Sequence, residues 1–442
     1  MRVPGHVLFN TILQGFDVDN IENPLDLPIE KEVSTYLESF DKSATGESIL
    51  AVTLRILEND SIIKGLYRYN QFSKEIEHTG PVYWSLHIKE GSPLGDNDFI
   101  ELASLLAKKY DFSPPMQRIE QAVRSIALRK SYNPVANYLT SLRWDGEPRL
   151  DLWLHRICGA DDNIYTSAVG RKFLVAAVTR VFDPGCKFDY MTILEGKQGI
   201  KKTTLVEVLA GKEYSTAISF TMSNKEIVDI MRGKWLIEIK EMHGFSKSDV
   251  ERVKAMIDQH TDRVRVSYGR KAEDHPRNNI FIGTMNPLGE NKYLADETGN
   301  RRFWPIECKG DIDINTLYTI RDQLWAEAVH LYKNKEPLYL ETKDVEKIAE
   351  NHQEERTLHS DPWDNLIAAY LKEKENQLTQ ELTATQIMAE CLKILPEKMN
   401  RGYAGRVGRS VKKYGWILKQ RTTRHDRTYY YISPNIEESW KE

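Results

Sequence analysis

The residues able to do chemistry fall in four short stretches. The first is MTILEGKQGIKKTTLVEVLAG, residues 191–211, which holds Gly196, Gly199, Lys201, Lys202, Thr203 and Thr204. Glycines let a loop turn its N–H groups inward around phosphate oxygens, and a helix N-terminus adds partial positive charge. A lysine at the end of such a loop reaches the β- and γ-phosphates, and the next hydroxyl ligates Mg²⁺. Lys202 and Thr203 stand in those places. Counted from Gly196, the pattern Gly-x-x-x-x-Gly-Lys-Thr reads GKQGIKKT, so Lys201 takes the place of the second glycine. The second stretch, WLIEIKE, delivers Glu238 and Glu241. Beside a phosphate loop, one carboxylate orients Mg²⁺ and another polarises the attacking water. Glu241, at the end of its run, is the first choice for the water-activating acid. Glu238 is the second choice and a metal-side partner; the plainer reading pairs it with a core cation. In the third stretch, Asn286 closes an apolar run and can hold the attacking water or read the γ-phosphate. In the fourth, DETGNRRFWP, Arg301 and Arg302 can neutralise transition-state charge, often in a neighbouring subunit's site. One of the two can instead bridge to an acid such as Asp296.

Positioning these groups takes strands that end where they begin. The apolar run to Leu194 reads as a strand. Leu205, Val206, Val208 and Leu209 read as the helix after the loop, giving the order strand, loop, helix. Trp235 to Glu241 is a second, mostly apolar strand. Neighbouring strand residues face opposite ways, so Glu238 and Glu241 do not share a face while the strand stays regular. Residues 262–268 (DRVRVSY) and 277–283 (RNNIFIG) read as a hairpin with a basic tip at Arg270 and Lys271. The helix from Lys247 carries Arg252 and Lys254 on a side expected to be exposed. The functional reading sets Lys254, Arg270 and Lys271 on a nucleic-acid backbone, and the bland one leaves a solvated tip.

Upstream, residues 1–47 mix turn formers with short apolar pieces and read as an arm. Residues 48–150 read as a small α/β or mostly helical domain. Its helix over Asp96–Lys109 is capped by Asp96 or Asn97. Trp144 reads as core beside a tight Asp145-Gly146 turn. Thr166–Phe182 is apolar on most sides and is expected to be buried. The phosphate-loop core spans 151–340, and 341–375 reads as a charged helical linker. Residues 376–442 give helix, helix, strand pair, the layout of a winged helix. From Cys391 to Tyr431 there are eleven Lys and Arg against two Asp and Glu. Arg401, Arg406, Arg409, Lys412 and Lys413 fall on the second helix, and Arg421, Arg424 and Arg427 on the strand pair. Such a surface suits phosphate contact, or docking on an acidic neighbour.

Composition bounds the rest. The chain has 442 residues, is 40% hydrophobic and 29% charged, and carries a net charge of −4. That charge predicts no strong overall affinity for polyanions, so a nucleic-acid surface must be local. Its four cysteines show no paired spacing, which suits a reducing cytosol rather than a disulfide framework or zinc site. No apolar run reaches the roughly 18 residues of a membrane span.

With these motifs in place, the chain resembles the virulence-associated protein E family of phage and mobile-element ATPases related to superfamily 3 helicases. The resemblance is carried by NPVANYLTSLRWDGEPRLDLWL, AAVTRVFDPG with LEGKQGIKKTT, GKWLIEIKE, DRVRVSYGRKAEDHPRNNIFIGTMN and DETGNRRFWPI. It implies an α/β fold with a P-loop, AAA+-like core. It sets Lys202 and Thr203 on Walker A, Glu241 with Glu238 on Walker B, Asn286 on sensor 1, and the arginine finger on Arg301 or Arg302. The activity implied is an ATP- and Mg²⁺-dependent motor on DNA, a replicative helicase or helicase loader. It would work as a homo-oligomeric ring, a hexamer favoured, beside phage replication proteins in the bacterial cytoplasm. Two other readings stay open: a DNA-binding initiator or regulator with a degenerate ATPase, and a scaffold for other factors.

Overall fold

A computed structural model describes residues 48–82, 84–85, 87–219, 222–240, 247–264, 273–286, 293–294, 299–357, 363–376, 381–422 and 427–433. The arm expected over residues 1–47 lies outside them. The chain divides into two units, one of residues 1–291 with 299–355 and one of residues 292–298 with 356–442.

The first unit opens with helix α1 (Ile49–Asn59), started by Ser48, whose hydroxyl accepts the Ala51 amide. Strands β1 (Tyr67–Asn70) and β2 (Glu75–His78) pair antiparallel. Helices α2 (Asp96–Tyr110) and α3 (Met116–Arg129) follow, and the short β3 (Ser131–Tyr132) joins β1 in parallel. Apolar residues of the three helices, among them Leu57, Leu106 and Val123, share one core. The cap of α2 is Gly95, not Asp96 or Asn97: the Asp98 carboxylate folds back to take the Gly95 amide at 2.8 Å.

Helices α4 (Pro134–Ser141), α5 (Trp153–Cys158) and α6 (Ile164–Phe182) lead to the main sheet. Most of α6 is buried, as an apolar circumference requires. Trp144 departs from its expected core position. It is half-buried, lies against His330 and donates its indole N–H to the Glu147 carbonyl in an exposed turn.

The chain then runs through β4 (Met191–Glu195), α7 (Lys202–Ala210), β5 (Ser215–Ile218), α8 (Asn224–Met231), β6 (Leu236–Ile239) and α9 (Lys247–Asp258). After these come β7 (Thr261–Val264), β8 (Glu273–Pro276), β9 (Ile280–Met285), β10 (Phe303–Glu307), α10 (Ile314–Lys333) and α11 (Lys343–Arg356). Five strands form one parallel sheet in the order β10-β4-β9-β6-β5. Every residue of β4, β6 and β9 is buried. Their continuous rather than alternating apolar sequences are what a parallel sheet covered on both faces needs.

The expected hairpin is corrected here. β7 pairs with β8, from Thr261↔Pro276 to Val264↔Glu273. The IFIGTM run is β9, inside the parallel sheet. An unbroken apolar run suits that interior, and the charged EDHP suits the exposed hairpin. The first part of the charged segment 341–375 packs into the first unit. Val345 and Ala349 of α11 belong to the first unit's core, and Gln353 donates to the Phe303 carbonyl at 2.9 Å.

The second unit holds α12 (Asp364–Asn376), α13 (Ala384–Gln386, continued by a wider π turn over Ile387–Cys391), α14 (Arg401–Lys413) and the antiparallel strands β11 (Ile417–Thr422) and β12 (Arg427–Ile432). Ile367, Leu371, Ile387, Val407, Val411 and Trp416 make its core. A Cβ at Gly408 would come within 2.5 Å of the Tyr431 hydroxyl oxygen, so only glycine lets α14 approach β12 this closely. Among the described residues of the chain, no helix is long and apolar enough to cross a membrane.

Candidate phosphate-loop site

All five strands of the main sheet point the same way, so their C-terminal ends form one edge. β4 lies between β9 and β10, while the chain leaves β4 for β5 at the far side of the sheet. Ligands of open α/β sheets bind beyond the strand ends at such a switch of direction. The loop of residues 196–201 stands there. A Cβ on Gly196 would meet Ile200 at 2.5 Å and the Cys308 carbonyl at 3.0 Å, so the loop's entry has room for glycine only. Gly199 turns with φ +88.

Lys201, the departure from the glycine pattern, has φ 72 and ψ 31. That is the left-handed region glycine favours, reached by a lysine at a cost of about 1–2 kcal/mol. Its side chain is exposed. The loop therefore keeps its turn without the glycine. The first intrahelical bond of α7 runs from the Leu205 amide to the Lys201 carbonyl. The amides of Lys202, Thr203 and Thr204 precede it, at the positive end of the helix.

Lys202 is buried, and its Nζ donates to the Gly196 carbonyl (2.6 Å), the Lys197 carbonyl (2.9 Å) and the Asn286 Oδ1 (2.9 Å). Burial lowers its pKa below the usual lysine value, against the nearby charge of Glu238, which acts the other way. Asn286 directly follows β9, the neighbour of β4, which is how it reaches the lysine. Thr203 Oγ1 donates to Glu238 Oε1 at 2.8 Å. The same oxygen accepts from Thr284 Oγ1 at 2.7 Å, and Lys240 Nζ stands 3.7 Å from the other oxygen. Glu238 is thus a buried acid with two hydroxyl donors, one of them the residue expected to ligate Mg²⁺. Thr204 is half-buried in the first turn of α7. Thr284 is a site residue that the sequence motifs miss; its one signal is a hydroxyl two residues before the strand-end amide. Glu241 lies outside the described residues.

Arg301 and Arg302 stand elsewhere. They precede Phe303, which pairs with Met191 at the start of β4, while Lys202 follows the strand's end. The strand between puts them roughly 13 Å away on the opposite edge. Arg302 is held by Asp258 through two bonds of 2.6 Å, which raises its pKa. Arg301 is exposed. Both line an open cleft of about 440 Å³ together with Lys187, Tyr190, Glu346 and Glu350.

Spacing left the cysteines unpaired, but the fold brings two together. The Cys158 thiol is hydrogen-bonded to Cys308, which, with its burial, raises its pKa. Cys308 packs beneath Gly196.

The nucleic-acid candidates divide. Lys254 is corrected: it is buried, with its ammonium 5.9 Å from the centre of the Phe303 ring. On α9 it shares the buried stripe of Val250, Val253 and Ile257, at helical spacing. Arg252 bonds the Asn224 side chain and the Met222 carbonyl. Arg270, Lys271 and Arg424 lie outside the described residues, as do the side chains of Lys413 and Arg427. In the second unit, Arg401, Arg409 and Lys412 are exposed on α14. Arg406 stacks over Trp363 at 3.8 Å. Arg421 pairs with Glu381 at 2.6 Å.

This is a mixed α/β protein built on a parallel sheet. Residues 139–358 match the virulence-associated protein E-like domain. The chain thus carries a virulence-associated protein E-like domain. No curated protein matches it. Among solved structures, an apo structure of the NrS-1 C-terminal region (305–718) is similar at 13% identity, with 87% of this chain and 99% of that one covered and a TM-score of 0.48. An A-form apo structure of the same region is similar at 12% identity, with 83% and 96% covered and a TM-score of 0.44.

Proposed function

We propose that this chain is an ATP-hydrolysing P-loop motor acting on DNA, a replicative helicase or helicase loader of a prophage or other mobile element. One observation carries the reading. Lys202, Thr203, Glu238 and Asn286, from three separate stretches, converge at one edge of the sheet, where helix α7 turns its free amides outward. The loop amides and the Lys202 ammonium bind the triphosphate. Asn286 orients the attacking water, and Glu241 takes its proton. Among the described residues no cluster of three or more His, Cys, Asp or Glu could hold a metal. Mg²⁺ on a nucleotide needs less, usually one or two protein oxygens beside phosphates, and Thr203 with Glu238 fits that. The ion, when bound, neutralises charge on the phosphates.

Arg301 cannot serve its own loop from the opposite edge. It serves a neighbouring copy's site in a ring, with a hexamer favoured. The second unit acts as a winged helix, with α14 and the β11–β12 wing contacting DNA phosphates in the bacterial cytoplasm. A DNA-stimulated ATPase assay run beside native mass measurement tests both parts. Turnover that rises with single-stranded DNA in an oligomer is expected; a monomer with no turnover would remove the motor reading. The left-handed Lys201 favours a second reading, an initiator or regulator that holds ATP without turning it over. Saturable nucleotide binding with no hydrolysis would select it.

A further inference from the structure

The turn joining β1 and β2 docks on the parallel-sheet core. Phe72 enters that core, and Asn278 Nδ2 donates to the Phe72 carbonyl at 3.0 Å. Gly233 passes so near that a Cβ there would lie 2.9 Å from the Cβ of Ser73. Beside this seam is a cavity of about 50 Å³, whose lining includes Lys74, Arg232, Asp262, His275 and Asn279. At roughly 12 Å³ for each water-sized group, it holds about four oxygens.

Several polar groups in its wall find no partner among the described residues. Asn279 is 5% exposed, and its Oδ1 has no hydrogen-bond partner among the described residues. The buried Nε2 of His275 has none either. The half-buried Lys74 sits in a left-handed backbone (φ 62), and its ammonium meets no acid among the described residues. Arg232 reaches Asp229 at 3.4 Å, a largely exposed acid, and feels the charge of Glu75. Asp262, the acid in the lining, is taken by Arg277 through bonds of 2.7 and 2.8 Å. Burial holds Lys74 below the ordinary lysine pKa, the condition an anion would relieve. What is left over is two cations, an amide and an imidazole around a space of four oxygens.

We propose that this cavity binds a tetrahedral oxyanion of the phosphate class, held by Lys74 and Arg232, with the His275 Nε2–H and the Asn279 amide, turned so that its Nδ2 faces the anion, completing the shell as donors. Its interior, with room for about four oxygens, admits one phosphate. Asn279 precedes β9, so the site lies at the sheet edge opposite Lys202 and is separate from the phosphate loop. The anion is either free or a single phosphate of a nucleic-acid backbone.

The test is calorimetric titration of inorganic phosphate into full-length Lys202→Ala protein, in which the loop has lost its ammonium. Saturable binding is expected, weakened by about tenfold or more in a Lys74→Asn/Arg232→Gln variant. Asparagine is chosen because it tolerates the left-handed backbone. A single-stranded oligonucleotide titrated into the same proteins separates the sources. If the site takes a backbone phosphate, oligonucleotide affinity falls with the double variant and the salt slope drops by about one unit. If it takes a free anion, only inorganic phosphate binding is lost. Should the double variant fold poorly, Lys74→Asn alone is compared with wild type for the rise in melting temperature on adding phosphate at constant ionic strength. Phosphate binding that is absent, or unchanged by these substitutions, overturns the proposal.

Discussion

The ammonium of Lys202 lies 2.9 Å from the side-chain oxygen of Asn286, 84 positions further along the chain. The parallel pairing of β4 with β9 brings them together, since each residue lies just past the end of its own strand. A lysine held by neutral oxygens is poised but not neutralised, and a phosphate can displace or share those contacts. Asn286→Ala should therefore leave nucleotide affinity near wild type and slow turnover by about tenfold or more, the loss of one polar transition-state contact. Parallel measurement of kcat and nucleotide Kd checks this. A fall in affinity with kcat unchanged would assign Asn286 to binding instead.

Glu238 is buried with two hydroxyls on one oxygen. Thr284→Val removes one donor while keeping the shape. It should destabilise the fold by about 1–3 kcal/mol, the cost of leaving a buried acceptor short of a partner. Urea denaturation reads the change, and Thr284→Ser should restore most of it.

At Lys201 the backbone is left-handed. Lys201→Gly relieves that strain but adds freedom to the unfolded chain, so its stability should stay within about 1 kcal/mol of wild type. Lys201→Val should be less stable by about 1–2 kcal/mol, because a β-branched residue resists that conformation. Equal stability of the glycine and valine variants would show that the loop does not hold this turn in solution.

Much of this site was legible in the sequence for a plain reason. Its groups sit near or just past the C-terminal ends of strands, and a strand announces its end by the switch from an apolar run to glycine or polar residues. That switch singles out Lys202, Thr203, Glu238 and Asn286 as neighbours of such ends. Pairing was not legible, because IFIGTM reads as a strand whichever neighbour it takes; only the packed sheet shows that it joins β4 and β6 rather than β7. Lys254 misled because its charge suggested solvent, whereas its place in the stripe of Val250, Val253 and Ile257 is a core position. Thr284 was hidden because a threonine in a buried strand looks like ordinary β-branched packing. The meeting of Cys158 with Cys308 depends on contacts between segments 150 residues apart, which spacing does not encode.

The two arginines before β10 should behave differently. Arg302 holds Asp258 in a partly exposed pair, so Arg302→Ala should cost about 0.5–1 kcal/mol of stability. Arg301→Ala should leave stability unchanged and remove most turnover. Mixing inactive Arg301→Ala protein with inactive Lys202→Ala protein should then restore part of the activity, because some interfaces pair an intact loop with an intact arginine. Mixtures that stay inactive under conditions where wild-type subunits exchange would place the arginine's role within its own chain.

The most direct test titrates ATP–Mg²⁺ into wild-type and Lys202→Ala protein by calorimetry and follows phosphate release from the same samples. Saturable binding and turnover are expected in the wild type, with turnover cut about a hundredfold, roughly 3 kcal/mol, in Lys202→Ala. No heat from the wild type at millimolar nucleotide, or equal turnover in the two proteins, would contradict the account.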